Sequence, residues 1–443
     1  MKFCPRPFMI AVLLATLSSS VLASPAGNVS LTILPNGLKI IHREGHTINL
    51  VAADIWVKAG SVNETASNNG VSHFVEHMIF KSTGKYGPGE IDREIEGLGA
   101  ELNGGTSRDW VHFYTTVARE YLPDALGILA NAITDAQFRP EDIEKEHRVI
   151  LDEIARADSD PSLRAFALFS ETAFKVHPYR LPPTGTKESI NGLTRDDLVR
   201  YYDRYYTPGN TCIAIAGDVS KSDAVALVQR AFAGYESRGS SDRSVADIPA
   251  EPPLTSPRIR RFRSLTSQAH MVLGYHVPPV SQFKEACALD VMLAVLGDTY
   301  QGRISTALSA KGIRFTTIKT DFISQRYPST ISALVSVEPK DVDAATSIIL
   351  AEFQRLGNDP VPSGELEHAK RLVEGSDLFD QETFSGQARV LGLYESIASY
   401  DLALKYGSAV SSLAAADVMQ VARKYFLAGR YCLAIIEPEQ LQK

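Results

Sequence analysis

"LTRDDLVRYYDRYYTPGNTCIAIAGDV", residues 193–219, and "LAAADVMQVARKYFLAGRYCLAIIEPE", residues 413–439, are two copies of one pattern. Laid over one another from Leu193 and Leu413, they match Asp197 with Asp417, Tyr205 with Tyr425 and Cys212 with Cys432, without a gap. Each copy reads as an amphipathic helix, a turn and a buried strand. With 443 residues the chain is also too long for one ordinary core. Between the copies, "ESRGSSDRSVADIPAEPPLTSP" at 236–257 has the Ser, Pro, Asp and Gly content of a linker. The expected organisation is a first domain over 24–235, a linker over 236–257 and a homologous second domain over 258–443.

Outward from the repeat, each half mixes local strand pairs with runs of helices. In "LTILPNGLKIIHR", residues 31–43, Asn36-Gly37 between two apolar runs is a hairpin signal. "ELNGGTSRDWVHFYTTV", residues 101–117, reads as a second strand pair. Helices are expected over about 119–135, 139–157 and 161–173. In the second half "STISALVSVEP" at 329–339 reads as a strand, followed by a helix over 340–356 and one long helical region from 363 to about 399. Clustered strands and clustered helices define an α+β class, two duplicated domains each built from a mostly antiparallel sheet packed with helices.

The amino terminus reads as a targeting segment. Lys2 and Arg6 supply positive charge, "FMIAVLLATL" an apolar run, and Val21-Leu22-Ala23 a cleavage signal. Residues 1–23 are expected to be removed and the rest exported to the periplasm or secreted. No other segment approaches a membrane span. A net charge of −7, with 22% charged and 44% hydrophobic residues, describes a globular chain without an electrostatic footprint for nucleic acid. Cys4 leaves with the signal. Cys212, Cys287 and Cys432 remain, without metal-ligand spacing and with flanks that read as core positions.

"GVSHFVEHMIFKST", residues 70–83, carries the chemistry. With His73 at zero on a helical wheel, His77 falls at about +40° and Glu76 at about −60°. Val71, Phe74, Val75, Met78 and Ile79 take the opposite arc. Histidines four apart stack one turn above another, so both can reach one ion. The competing reading is a solvated helix face, and the order H-x-x-E-H within an apolar helix favours the metal. A catalytic zinc needs a third protein ligand and keeps a position for water. The other histidines considered, such as His42, His112, His177 and His270, read as ordinary core or surface residues. The acidic helix "EDIEKEHRVILDEIARADSD", residues 141–160, offers carboxylates. With Glu146 at zero, Ile143, Val149, Ile150 and Ile154 are assigned to one apolar cluster and Glu153 falls at about −20°. Glu144, Arg148 and Asp152 face water. Glu153 is therefore the leading third ligand and Glu146 a supporting carboxylate.

Together "HFVEHMIFKSTGKY", "LNGGTSRDWVHFY", "EKEHRVILDEI", "HPYRLPPTGTKESINGLTRDDLVRYYDRYYTPGN" and "IAGDV" resemble the inverzincin metallopeptidases, the pitrilysin and mitochondrial-processing-peptidase family, over nearly the whole mature chain. The resemblance implies two homologous α+β domains and one zinc ion held by His73, His77 and Glu153. It implies Glu76 as general base and Glu146 as support for the site. It also implies that a peptide substrate adds to an edge strand near the zinc, where Asn103 matches the pairing asparagine.

Two departures accompany the resemblance. Gly104 and Gly105 stand where the family places alanine and a larger residue. In "ALSAKGIRFTT", residues 307–317, Ser309 and Phe315 replace an Arg and Tyr that hold the substrate carbonyl, and Arg314, one residue off, is expected to point away on a strand. The expectation is a zinc-dependent endopeptidase acting on peptides or unfolded segments, as a heterodimer with a homologous chain that supplies the Arg/Tyr pair. A homodimer or monomer is the rival assembly. The rival function is a non-catalytic or weakly active zinc-binding subunit of a peptide-binding complex.

Overall fold

The computed structural model describes residues 29–238, 248–297 and 302–439. The expected targeting segment and the middle of the expected linker lie outside the described residues. In the first half, β1 (Val29–Ile33), β2 (Lys39–Glu44), β3 (Leu50–Val57), β4 (Leu102–Thr106), β5 (Val111–Ala118) and β6 (Thr211–Gly217) form a sheet of order β1-β2-β6-β3-β5-β4. Its helices are α1 (Val71–Ile79), α2 (Glu90–Gly97), α3 (Leu122–Thr134), α4 (Pro140–Ser159), α5 (Pro161–Ala173), α6 (Lys187–Gly192), α7 (Arg195–Tyr205) and α8 (Lys221–Ala231). The second half has β7 (Arg258–Ser264), β8 (Ala269–Val277), β9 (Phe315–Phe322), β10 (Ser329–Val337) and β11 (Cys432–Pro438), ordered β7-β11-β8-β10-β9. With them go α9 (Phe283–Gly297), α10 (Arg303–Ala310), α11 (Val342–Asn358), α12 (Ser363–Asp380), α13 (Phe384–Ile397), α14 (Tyr400–Ser411) and α15 (Ala415–Tyr425).

Without β1 the two sheets have the same order, and in each the corresponding pair, β2–β6 or β7–β11, is parallel among antiparallel neighbours. Helices α7 and α15 coincide when the two copies are laid over one another. Local chemistry explains both. Thr194 accepts from the Asp197 amide and Asp197 bonds back to the Thr194 amide at 3.0 Å, a reciprocal cap that fixes where α7 begins. In the second copy Ala414 has no cap oxygen, yet Asp417 still accepts its amide at 2.9 Å. Between β1 and β2, Gly37 adopts φ +91°, and Asn36 Oδ1 accepts from the Leu38 amide, so the Asn-Gly pair turns the hairpin as expected.

Each sheet packs one face on helices of its own half. The other face is covered by one helix from the opposite half, and this the sequence did not show. Helix α13 crosses β3 and β6, while α5 crosses β11 and β8. Under α13, Trp56 is 1% exposed and so close that a Cβ on Gly392 would stand 2.2 Å from its ring. Ile41, Trp56, Phe384 and Leu391 share this cluster; burying each such side chain is worth about 1.5–3 kcal/mol. At its edge Glu395 takes Lys39 at 2.5 Å and Lys58 at 3.3 Å.

This exchange corrects the single long helix expected from 363 to about 399. The chain breaks at 381–383, where Thr383 Oγ1 caps α13 by accepting from the Gly386 amide. A Cβ on Gly386 would lie 1.9 Å from the Asp380 carbonyl, so the reversal requires glycine. The described part of the segment read as a linker is tied down. Glu251 Oε2 accepts the amides of Lys175, Val176 and His177, its other oxygen pairs with Arg258, and Leu254 is buried. No helix among the described residues is long and apolar enough to cross a membrane. Cys212, Cys287 and Cys432 are buried and unbridged.

Candidate metal centre

Helix α1 buries Val71, Phe74, Val75, Met78 and Ile79, the arc the wheel assigned to the core. Its start is held from outside the helix. Gly70 adopts φ +90°, where a Cβ would meet Gly185 Cα at 2.8 Å. The carboxylate of Glu64, 4% exposed, accepts the amides of Gly70 and Ser72, the Ser72 hydroxyl and the Asn69 side chain. A carboxylate at a helix N-terminus satisfies its orphan amides and complements its dipole. Burial raises the Glu64 pKa, and these hydrogen bonds oppose that rise. Glu64 thereby sets the axial position of the helix that carries the motif.

The polar face of α1 meets α4. His73 Nε2 and His77 Nε2 are 3.2 Å apart, and each lies 3.6 Å from Glu153 Oε2. Among the described residues these three form the one group able to hold a metal ion. Zinc bonds of about 2.0–2.2 Å at tetrahedral angles separate donor atoms by about 3.3–3.6 Å, which matches this triangle. His77 Nδ1 donates to Glu146 Oε2 at 3.0 Å, so in the neutral ring Nε2 is the nitrogen that carries the lone pair. Burial lowers the His73 pKa to about 3, keeping that ring neutral. Among the described residues nothing bonds the buried Nδ1 of His73, so that ring is free to carry its proton there and turn the Nε2 lone pair to the same point, where two nitrogens and a carboxylate oxygen can converge on a cation. The donor set therefore fits zinc.

Around the triangle the charges are graded. Burial lowers the pKa of His77, but the Glu146 bond and the charges of Glu76 and Glu153 raise it further, with a net rise. Burial raises the Glu146 pKa, and His77 with Lys81, at 3.0 Å, brings it below the usual range. On α4 Glu146, Ile150 and Ile154 are buried and Glu144, Arg148 and Asp152 exposed, as the wheel placed them. Val149 does not follow. It is 40% exposed, because about 100° per residue puts it at about −60°, on the other flank of Glu146 from Ile143, Ile150 and Ile154.

Glu76 reaches across to the edge strand β4. Its Oε2 lies 4.0 Å from His73 Nε2 and accepts from Thr106 Oγ1 at 3.4 Å. Burial raises its pKa, towards the range where a carboxyl exchanges protons at neutral pH. A Cβ on Gly104 would stand 2.8 Å from Glu76 Oε1. The glycine that departs from the family pattern thus makes room for the carboxylate. A glycine inside a strand signals such close approach, whereas Glu64, acting from a preceding loop, leaves no comparable signal. Asn103 is exposed on β4, with Oδ1 bonded to the Gly104 amide at 3.0 Å.

In the second half the equivalent positions are apolar. Under the alignment of the two copies, Leu293, Leu296, Gly297, Leu366 and Val373 stand where the first half has His73, Glu76, His77, Glu146 and Glu153. Ser309 and Phe315 line one open pocket of about 640 Å³. Arg314 lines it too, contrary to expectation, because it lies in the turn before β9 rather than within the strand.

A family model described as insulinase (peptidase family M16) matches residues 39–187, and one described as the peptidase M16 inactive domain matches 192–373. An uncharacterized zinc protease of Mycobacterium leprae is 28% identical over 382 residues, 84% of this chain and 83% of its own length. Another, of Bacillus subtilis, is 27% identical over 407 residues, 91% of this chain and 97% of its own. The crystal structure of a protease from Helicobacter pylori superposes with a TM-score of 0.87 at 22% identity, covering 93% of this chain and 99% of that one.

Proposed function

As the chain belongs to the insulinase-like peptidase family M16, we propose that it is a zinc-dependent endopeptidase, with one zinc ion per chain, acting on peptides or unfolded segments in the periplasm. The observation that carries this reading is the triangle of His73 Nε2, His77 Nε2 and Glu153 Oε2 beside a buried Glu76. Zinc bound there supplies a water of lowered pKa and polarises a peptide carbonyl. Glu76 then acts as the base that takes a proton from water and returns it to the leaving amine. Glu146 holds the His77 ring in the tautomer that presents Nε2. The unpaired edge of β4, ending at Thr106 beside Glu76, offers amides and carbonyls to an extended peptide, with Asn103 positioned to bond its backbone.

The assembly we propose is a heterodimer with a homologous chain that supplies an Arg/Tyr pair for the oxyanion, since Ser309 has no charge and Phe315 no hydroxyl. Arg314, facing the same pocket, favours a second reading in which a homodimer or monomer supplies its own cation. The full chain is assayed with zinc, alone and co-expressed with a homologue that keeps the pair. Glu76→Gln is expected to retain zinc and lose about 10²–10⁴ in turnover; unchanged cleavage would remove Glu76 from the role. A partner gain of about 10²–10³ supports the heterodimer. Equal activity alone, abolished by Arg314→Ala, supports the second reading.

A further inference from the structure

Strand β4 has a second face. Cross-strand pairing puts Asn103 and Gly105 on the side of Tyr114, His112, Asp54 and Trp56, opposite the Gly104 and Thr106 that border Glu76. Helix α13 covers this side over β3 and β6, leaving Trp110 and Tyr114 half-buried and Asn103 exposed. Here His112 Nδ1 lies 3.1 and 3.3 Å from the two oxygens of Asp54, a residue 2% exposed. Donating from Nδ1 to that carboxylate leaves Nε2 as the acceptor of the ring. Among the described residues no hydrogen bond engages Nε2.

Gly105 is what opens this nitrogen. A Cβ there would stand 3.3 Å from Nε2 and 3.4 Å from Cδ2. The imidazole has the ring of Trp56 at 4.3 Å, that of Tyr114 stacked at 5.1 Å and that of Trp110 edge-on at 5.1 Å. Tyr114 also joins Asn103, Glu96 and Glu101 in lining a cavity of about 680 Å³ further along the strand. From α13, Arg389 acts on Asp54 while paired to Asp380 at 2.7 Å, so the positive charge near the dyad is already engaged.

An imidazole lone pair, two aromatic faces and two glutamates all favour a cation that carries N–H donors. A strand added to β4 alternates its side chains between the two faces. Of two successive peptide residues on such a strand, one therefore turns its side chain to the Glu76 face and the other sends it past Gly105 towards His112. We propose that His112, backed by Asp54 and uncovered by Gly105, is the recognition point for a lysine or arginine side chain of the peptide beside the scissile bond. This rests on the peptidase reading of the site.

One peptide scaffold carrying Lys, norleucine, Arg, citrulline or Glu at each position in turn tests it. Cleavage is measured with the full zinc-loaded chain, and binding with the Glu76→Gln chain by fluorescence anisotropy. At one position Lys and Arg are expected to exceed norleucine and citrulline in kcat/KM by about tenfold. His112→Phe and Gly105→Val should each remove that preference with zinc content unchanged. His112→Phe, which leaves the buried Asp54 without its partner, also lowers the melting temperature, so Gly105→Val, which keeps the pair, separates recognition from stability. Equal values for Lys and norleucine at every position, a preference for Glu, or a Lys preference that survives both substitutions would overturn the proposal. If the wild-type chain cuts nothing, the peptidase reading fails by itself, and the binding arm still decides: equal binding of the Lys and norleucine peptides, or of neither, sinks the subsite.

Discussion

A carboxylate such as Glu146 shows what a single side chain does when its surroundings are fixed. Buried between His77 and Lys81, it holds one tautomer of the ring and so one direction of its lone pair. Glu146→Gln is expected to weaken zinc about 10–100-fold in a chelator competition, without unfolding the chain. In the second half burial dominates a different carboxyl against a single hydrogen bond. Asp290 accepts from Tyr406 Oη at 2.8 Å, and burial pushes its pKa up to about 7. A carboxyl so raised keeps its proton in the native state where the unfolded chain has released it, so its contribution to stability falls as pH rises from about 4 to 7. Asp290→Asn, which preserves the acceptor, should stabilise the protein at pH 8 by about 1–3 kcal/mol and leave it unchanged near pH 4. Urea unfolding at the two pH values measures this; a variant less stable at pH 8 contradicts it.

At the scale of elements the site is a meeting of three: α1, α4 and the edge strand β4. The helices α1 and α4 were legible because their periodicity is strong, and β4 only as one half of a strand pair. Their side chains' destinations were less so. The wheel separated the buried and solvated sides of α4 but misplaced Val149, and it could not show that β4 comes within contact of Glu76. That contact depends on Gly104. Gly104→Val puts carbon where Glu76 Oε1 now lies, with 2.8 Å available even for a Cβ. The expected result is retained zinc with kcat lowered about 10²-fold, since a displacement of about 1 Å at a reacting group costs that much. Activity equal to the wild type would mean that Glu76 has room to move without loss.

For the whole molecule the exchange of α5 and α13 makes the halves interdependent. Expressed alone, residues 29–238 would expose Ile41, Trp56 and the apolar face of β6 that α13 covers, and would leave Lys39 and Lys58 without Glu395. That half should aggregate, and co-expression with residues 248–439 should return soluble protein; a soluble, cooperatively unfolding isolated half would refute the interdependence. The duplication, the Asn36-Gly37 hairpin, the helices α1 and α4, and the grouping of His73, Glu76, His77, Glu146 and Glu153 as candidates were determined by the sequence itself. Period, turn chemistry and ligand spacing are local properties that survive without a fold. Tertiary structure decided the rest: the break at 381–383, the anchoring of 248–257, the Glu64 cap, the room Gly104 gives Glu76, and the side on which Arg314 lies. These are relations between segments far apart in the chain, set by which surfaces must cover one another, and no local pattern encodes them.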